Sequence, residues 1–505
     1  MTRLGFVLDS GSCIGCHACT VACKAEFDVP LGVNRTWVKY VETGTFPETD
    51  RHFSVMRCNH CDDAPCITIC PTGALFRADN GVVDFDDADC IGCKACMNAC
   101  PYDAIYINPQ TGTAHKCNFC NHRIADGLQP SCVIVCPTNA IRVGDLDDPD
   151  SEIARLHASD QGLVRSPEQQ TRPKVIYAGA DPRSLDPLAS AIASDGLIWA
   201  ETTADHPTPT PVALGASPSP DGDTARTTYT TGHSRPWGGK VAAYLVTKAV
   251  AAGVMLVASL LVILGHGDNQ STVSVLPPMV AGAFLILTGV LLVGDLKQPG
   301  RFHYLLTRGS RTSWLVKGAY VLAGFAACCA AWWIAGLIGA GGVLPVLLVP
   351  TVLLALGTAG YTAFLFAQCE GRDLWQGRML LPVLLVQAVV AGSGAYTVLD
   401  LFVHLPEVNA VHLFLMFGLA ANFALVVIEV VGRHTRHVTM AIAELTRGTQ
   451  RSRFGAWVVA NLAACLLVAP NLGEVPSAIG GLAALVGLFA YEDAYLRAGQ
   501  SVPLS

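Results

Sequence analysis

Sixteen of the chain's 20 cysteines lie before residue 137, in four groups of four. The groups are Cys13, Cys16, Cys19 and Cys23; Cys58, Cys61, Cys66 and Cys70; Cys90, Cys93, Cys96 and Cys100; and Cys117, Cys120, Cys132 and Cys136. The first and third have the spacing C-x2-C-x2-C-x3-C, and the other two widen its middle gap. In such a run three thiolates from one loop hold an iron–sulfur cluster, and the fourth cysteine reaches the other cluster of a pair. The spacing therefore predicts iron–sulfur centres whose ligands come from more than one group.

Two other interpretations of these cysteines are weaker. Residues 13–17, CIGCH, also match the signal for covalent haem, but Cys16 already belongs to a regularly spaced set of four. Zinc sites use two C-x2-C pairs separated by a longer span, which the first and third groups lack. Residues 1–12 contain neither an apolar run of signal-peptide length nor a twin-arginine pair. We therefore expect this half in the cytoplasm, where disulfides rarely persist.

Three groups are followed by similar phrases, CPTGAL, CPYDAI and CPTNAI, which predict duplicated ferredoxin units. With CKAEF at 23–27 and TRPKVIYAGA at 171–180, residues 1–180 resemble the four-cluster electron-transfer subunit of the dimethyl sulfoxide reductase family of molybdopterin enzymes. The resemblance implies an α+β ferredoxin-like domain with four [4Fe-4S] clusters and, as partner, a large molybdopterin catalytic subunit. The implied ligand sets are Cys13/Cys16/Cys19/Cys136, Cys23/Cys117/Cys120/Cys132, Cys58/Cys61/Cys66/Cys100 and Cys70/Cys90/Cys93/Cys96.

Residues 181–236 are rich in Pro, Thr and Ser, which predicts an extended linker, although 181–203 could still pack on the cluster domain. A bilayer-spanning helix needs about 20 apolar residues, and eight candidate runs follow. They are roughly 241–264, 275–296, 314–338, 343–368, 378–399, 410–431, 454–470 and 475–496. Residues 237–505 are therefore predicted to form an all-α domain of eight transmembrane helices.

Charge predicts the orientation of these helices. The loops on the linker side, 297–317, 369–378 and 432–453, carry twelve Lys or Arg residues, and the opposite loops carry none. Under the positive-inside rule the linker side, the cluster domain and both termini are cytoplasmic. Four tryptophans at this interface are expected to form an aromatic belt. They are Trp237, Trp314, Trp375 and Trp457.

Three motifs in this half resemble the NrfD/PsrC membrane subunits of polysulfide-reductase-like complexes. They are DLKQPGRFHYLLTR at 295–308, YTAFLFAQ at 361–368 with Trp375 beyond, and AGQSVPLS at 498–505. The resemblance implies eight helices, no haem and electron exchange with a quinone, menaquinone or ubiquinone. The absence of haem agrees with the few histidines in or beside the helices. No two of them make an obvious pair of axial haem ligands; they are His266, His404 and His412.

Ionisable residues within a membrane are costly and often functional. We take Asp295, Tyr361 and Lys248 as quinone-binding candidates. The alternatives are an ion pair of Asp295 with Lys317 or Arg301, ordinary packing of Tyr361, and a Lys248 that reaches the interface. Glu429 and Glu492 either relay protons or are solvated.

The predicted function is that of a fused electron-transfer and membrane-anchor subunit that connects a cytoplasmic molybdopterin enzyme to the quinone pool of the cell membrane. The chain has no Walker loop, nucleotide fingerprint or nucleophile constellation, so no catalytic residue is assigned and the enzymatic status of the chain itself stays open. Its net charge of −7 does not indicate nucleic-acid binding. The alternative is an energy-coupling, quinol-oxidising component resembling alternative complex III, and a third possibility is a purely structural anchor.

Overall fold

The computed structural model of the chain describes residues 2–159, 161–192, 225–265, 271–403, 405, 408–468 and 472–505. The strands are β1 (Leu4–Asp9), β2 (Thr36–Thr45), β3 (Glu48–Arg57), β4 (Leu75–Arg77), β5 (Val83–Phe85), β6 (Ile105–Ile107), β7 (Ala114–Lys116), β8 (Ile141–Asp145), β9 (Gly162–Leu163), β10 (Val175–Ala178), β11 (Ala191–Ile192) and β12 (Arg226–Tyr229). The short helices of the first 192 residues are α1 (Ala18–Phe27), α2 (Pro65–Ile69), α3 (Ala95–Ala99), α4 (Asn121–Ala125), α5 (Ser131–Ile134), α6 (Glu152–His157) and α7 (Pro182–Leu185). The later helices are α8 (Gly239–Ile263), α9 (Leu276–Asp295), α10 (Tyr304–Thr307), α11 (Trp314–Leu337), α12 (Leu344–Ala367), α13 (Leu380–Val403), α14 (Val408–Val431), α15 (Arg436–Thr446), α16 (Arg451–Leu467) and α17 (Glu474–Ser501).

The first part of the chain, here called the cluster half (2–192 with 225–236), combines small sheets with short helices. One sheet has the order β8-β1-β10-β9, with β1 and β10 parallel, and a second has the order β11-β12-β2-β3. Each repeated phrase follows a short helix and leads into a strand: α2 into β4, α3 into β6 and α5 into β8. The repeats are thus copies of one helix–cysteine–strand unit, which agrees with the predicted α+β ferredoxin-like class.

The described ends of the predicted linker differ from an extended connector. Strand β12 pairs with β2 of the cluster half, and β11 pairs with β12. Residues 181–192 and 225–236 therefore pack on the cluster half, because β12 supplies backbone hydrogen bonds to the edge of the β2–β3 ribbon. Residues 193–224 of the predicted linker lie outside the described residues.

The second part of the chain, here called the membrane half (237–505), is helical. Seven helices are long and apolar enough to cross a membrane: α8, α9, α11, α12, α13, α14 and α17. The eighth predicted run, 454–470, falls on α16, whose 17 described residues fall short of that length. The prediction of eight spans is therefore not confirmed. Two arginines, Arg451 and Arg453, occupy the first turn of α16 and shorten its apolar part.

Helix α8 lies at the centre of this bundle and touches α13 through two glycines. A Cβ atom on Gly253 would come within 1.8 Å of the Ala388 oxygen, and one on Gly392 within 2.1 Å of the Gly253 carbonyl carbon. Small residues allow this backbone-to-backbone approach, which dispersion and weak polar contacts stabilise in lipid. The close contact holds α8 against α13 and so determines where the polar side chains of α8 point.

Three of the four interfacial tryptophans are buried and so do not form the expected lipid-facing belt. Trp237 and Trp375 are buried and stack with ring centroids 5.6 Å apart, and Phe366 lies against both. Trp457 is buried between Phe423 and Tyr491. Their apolar surfaces are covered mainly by other helices of the membrane half, and Trp237 also donates to the Cys93 oxygen of the cluster half.

The surface between the two halves, here called the seam, is densely hydrogen-bonded. Arg301 Nη1 donates to the backbone oxygens of Asp87 and Cys90, at 2.6 and 2.8 Å. Ser313 Oγ donates to the Ile69 oxygen at 2.7 Å, and the buried Arg372 lies 3.3 Å from Asn98 Oδ1. The membrane half therefore recognises the backbone of the cysteine-bearing loops directly.

Candidate metal centres and membrane cavity

Two of the four implied ligand sets surround separate cavities. Cys70, Cys90, Cys93 and Cys96 all line one cavity of about 390 Å³. Cys23, Cys117, Cys120 and Cys132 all line another of about 300 Å³. In both, the fourth thiol comes from a different cysteine group than the other three. This crossing of groups is the arrangement that the spacing predicts for paired clusters.

The members of the other two sets are also electrostatic neighbours. The charge of Cys136 acts on Cys13, at opposite ends of the cluster half in sequence. The charges of Cys58 and Cys100 act on both Cys61 and Cys66. The structure thus places members of each implied set near one another, and the assignment of individual ligands stays a prediction.

The chemistry of the sixteen thiols fits iron–sulfur clusters. Burial raises the pKa of Cys23, Cys66 and Cys96 well above that of an ordinary thiol, because a thiolate is poorly solvated there. Bound iron would supply the compensating positive charge. In the described residues, no group of three or more His, Cys, Asp or Glu could hold a single metal ion. The thiolates of a four-iron cluster bind different iron atoms and need not lie that close together.

Cations beside the cysteines were not identified from the sequence. Arg57 is fully buried and donates from Nη1 to Cys132 Sγ at 3.3 Å. Lys116 is buried, with its ammonium 3.0 Å from the Cys117 oxygen. Hydrogen bonds and positive charge near the sulfurs stabilise the reduced state of a cluster. The sequence does offer one indication of these cations, because Arg57, Lys94 and Lys116 each lie next to a cysteine.

One large apolar cavity lies where the seam meets the membrane half. It has a volume of about 730 Å³ including its mouth, and its walls are mainly aliphatic and aromatic side chains. Its polar groups are few and include the side chains of Asp295, Tyr361 and Tyr244. Cys93 also lines it, so this cavity and the one formed by Cys70, Cys90, Cys93 and Cys96 share a wall. A mostly apolar pocket with a few polar groups suits a flat, lipophilic ligand.

Asp295 pairs with neither of the cations considered from the sequence. Its carboxylate lies 2.7 Å from the ammonium of Lys94, which stands between Cys93 and Cys96. Lys317 instead lies over the ring of Trp314, and Arg301 binds backbone oxygens of the cluster half. The anion at the end of α9 is therefore held by a cation from the cysteine loop.

Lys248 and Tyr361 lie together, behind the cavity wall. Lys248 is 1% exposed and donates to the Ala359 oxygen at 3.2 Å and to Thr362 Oγ1. Its ammonium lies 4.7 Å from the centre of the Tyr361 ring. Lys248 therefore does not extend to the interface. Of the three candidates, Asp295 and Tyr361 line the cavity, and Lys248 contacts it through Tyr361.

Comparison with protein families gives matches to both halves. Residues 228–503 match the family model described as polysulphide reductase, NrfD. Residues 12–75 and 49–146 each match a model described as a 4Fe-4S dicluster domain.

Curated proteins similar to this chain match its cluster half. The thiosulfate reductase electron transfer subunit PhsB of Salmonella typhi is 50% identical over 150 residues, covering 29% of this chain and 77% of PhsB. The arsenate respiratory reductase iron-sulfur subunit ArrB of Shewanella sp. is 36% identical over 225 residues, covering 35% of this chain and 95% of ArrB. Protein NrfC of Escherichia coli K12 is 47% identical over 157 residues, covering 30% of this chain and 70% of NrfC.

Proposed function

Because this chain belongs to the polysulphide reductase (NrfD) family and carries 4Fe-4S dicluster domains, we propose that it is the electron-transfer and membrane-anchor subunit of a quinone-linked oxidoreductase complex. It is a multi-pass membrane protein, with seven apolar helices in the described residues. The sixteen cysteines would hold four [4Fe-4S] clusters, which exchange electrons one at a time. We propose a cluster domain at 1–180, a connector at 181–236, whose described ends pack on the cluster domain, and a membrane domain at 237–505.

The observation that carries this proposal is the wall shared by the two cavities. A quinone is a flat, apolar molecule with two oxygens that accept hydrogen bonds. In the 730 Å³ cavity its ring would contact aliphatic side chains, with Cys93 on one side and Asp295 and Tyr361 on others. The Tyr361 hydroxyl would donate to a quinone oxygen, and the Asp295 carboxylate, held by Lys94, would accept from a quinol hydroxyl.

We expect Asp295→Asn and Tyr361→Phe to lower kcat/KM for quinone by about tenfold each, or ~1.4 kcal/mol of transition-state stabilisation. Asp295→Asn removes the carboxylate charge and Tyr361→Phe removes the hydroxyl, and both changes retain nearly the same volume. The measurement is dye-driven reduction of a soluble quinone by the purified, cluster-loaded chain, with iron content determined in parallel. Tyr320→Phe is the matched control, because Tyr320 is exposed on the lipid-facing side of α11. Unchanged quinone kinetics in both cavity variants would place the quinone elsewhere.

The partner at the opposite end is proposed to be a large molybdopterin subunit. Two of the relatives are named as subunits of thiosulfate and arsenate reductases, which supports a catalytic partner of the reductase type. Cys16 is exposed, and exposed apolar side chains occur close to it in sequence and at the end of α5, which contacts α1. These side chains are Ile14, Val21, Ile134 and Val135. An apolar patch beside a metal ligand is the kind of surface that a redox partner covers.

The cluster half and both termini are proposed to lie in the cytoplasm. The start of α8 and the end of α17 meet, since Trp237 N donates to Gln500 Oε1 at 3.0 Å. Such a meeting requires an even number of crossings, which supports α16 as the eighth span. A reporter active only outside the membrane should be silent after Ser505 and active when inserted after Gly339. The reverse pattern would place the clusters on the outer face.

A further inference from the structure

Two glutamates and a lysine are among the ionisable side chains buried within the membrane half. Glu429 on α14, Glu492 on α17 and Lys248 on α8 are 8%, 5% and 1% exposed. Charged groups in this position are costly, and where they occur they frequently belong to proton relays. The proposed quinone contacts do not use either glutamate, so their burial is still unexplained.

Two contacts, one helical turn and electrostatic interactions connect these groups in one series. The Tyr495 hydroxyl lies 3.2 Å from Glu429 Oε1, and Tyr495 is one helical turn from Glu492 on α17. Glu492 lies near Gln387 and interacts electrostatically with both Glu429 and Lys248. Lys248 in turn lies against the Tyr361 ring. The series therefore runs from Glu429 to a residue that lines the 730 Å³ cavity.

The Glu429 end of the series lies at the cluster-facing end of the bundle. Glu429 is two residues from the end of α14 at Val431, and its backbone oxygen accepts from the His434 ring in the following loop. Gly377 lies beside its carboxylate, and a Cβ there would stand 3.0 Å from Oε1. A side chain at 377 would thus crowd the approach from the surface to the carboxylate.

Buried polar atoms along the same helices point to water. Gln387 Nε2 and both polar atoms of Asn422 have no hydrogen-bond partner in the part of the chain that the structure describes. Gln387 is 3% exposed and Asn422 is fully buried, two turns from Glu429 on α14. Buried polar groups of this kind usually bind ordered water. Water bound to Gln387 would lie beside the neighbouring Glu492 carboxylate.

We propose that Glu429, Tyr495, Glu492 and Lys248 form the proton route between the cluster-facing side of the membrane and the quinone cavity. This inference rests on the proposed quinone function. A quinone that becomes a quinol takes up two electrons and two protons, and quinol oxidation releases the same. Electrons arrive on the Cys93 side of the cavity, and protons pass along the carboxylates on the other side. The series of groups carries protons in either direction, as the electron flow requires.

The first experiment uses Glu492→Gln in the purified, cluster-loaded chain. We expect kcat for dye-driven quinone reduction to fall by at least about tenfold, because a positioned proton-transfer group contributes on the order of 10²–10⁴-fold. The quinone KM should stay within about twofold. Glu492→Asp should restore most of the rate, and a small weak acid such as formic acid in the buffer should partly rescue Glu492→Gln. A wild-type kcat in Glu492→Gln would overturn the route.

Glu474→Gln is the matched control. Glu474 is an exposed acid at the opposite end of the same helix, and its change should leave kcat unaltered. Asp400→Asn tests whether protons enter from the opposite face of the membrane, because Asp400 is buried near the end of α13 that lies away from the cluster half. Slow turnover in Asp400→Asn together with normal turnover in Glu492→Gln would reverse the direction of the route.

A second measurement needs no variant and so does not depend on how Glu492→Gln folds. Wild-type protein is placed in vesicles with the cluster half outward and driven with a reduced dye and quinone. Indicator dyes in the two compartments should report proton uptake from the outer medium, with as many protons as electrons after correction for protons released by the dye. Uptake from the lumen overturns the route, whereas failure to reduce quinone at all overturns the proposed function instead.

Discussion

Replacing Cys96 with serine is expected to stop electron delivery to quinone almost completely. Cys96 lines the same cavity as Cys70, Cys90 and Cys93, and the cavity proposed for quinone lies on the other side of Cys93. Loss of an outer-shell partner of a metal ligand already costs about 10–100-fold in metal affinity or activity. Loss of the ligand itself should therefore lower dye-driven quinone reduction by on the order of a hundredfold. Iron should fall from about sixteen to about twelve atoms per chain.

The matched variant is Cys16→Ser at the opposite end of the cluster half. Cys16 is exposed and belongs to the implied set with Cys13, Cys19 and Cys136. It should lose a similar amount of iron, yet keep dye-driven quinone reduction, because the dye still reaches the remaining centres. Cys465→Ser, in the membrane half, should change neither quantity. Equal quinone rates in Cys96→Ser and the unmodified chain would contradict the proposed order of the centres.

Gly253→Ala is expected to destabilise the membrane half more than other single methyl additions. The new Cβ would overlap the Ala388 oxygen, and this atom belongs to the backbone of α13 and cannot rotate away. Overpacking of this kind costs about 1–3 kcal/mol, and occasionally more. The helices would have to separate, which would also move Lys248 on the same helix. The midpoint of thermal aggregation in detergent should fall clearly.

Gly289→Ala is the control for this prediction. Gly289 lies within α9, also a membrane helix, and a Cβ there meets nothing within 4 Å. Its thermal midpoint should stay the same or rise slightly, since alanine favours the helix more than glycine does. If the two variants had the same midpoint, the Gly253–Gly392 contact would not hold the bundle together.

Spacing and repetition predicted much of the cluster half. The x2, x2, x3 pattern indicated ligands shared between groups, and the thiols of Cys70, Cys90, Cys93 and Cys96 do surround one cavity. These features are local in sequence, so they can be recognised in a single sequence. The resemblance of two membrane motifs likewise singled out Asp295 and Tyr361, which line one cavity although they lie on different helices.

The contacts between the two halves could not be predicted from spacing or motifs. Lys94 and Asp295 come from distant parts of the chain, and nothing near either residue indicates the other. The cationic loops were interpreted through the positive-inside rule alone. Arg301 binds backbone oxygens of the cluster half, Arg308 pairs with Asp89, and Arg372 with Asp103. These cations therefore attach the cluster half, a role that the sequence did not indicate for them.

The seam also constrains the order in which the molecule matures. It is assembled from three separate loops of the membrane half, at 297–313, 371–373 and 436, together with residue 504 near the carboxyl end. It is completed only after the last helix has been made and inserted. Once closed, it covers the loop that carries Cys90 and Cys93. We therefore expect iron and sulfide to enter this loop before the membrane helices dock, because a chain that closes early would enclose an empty centre.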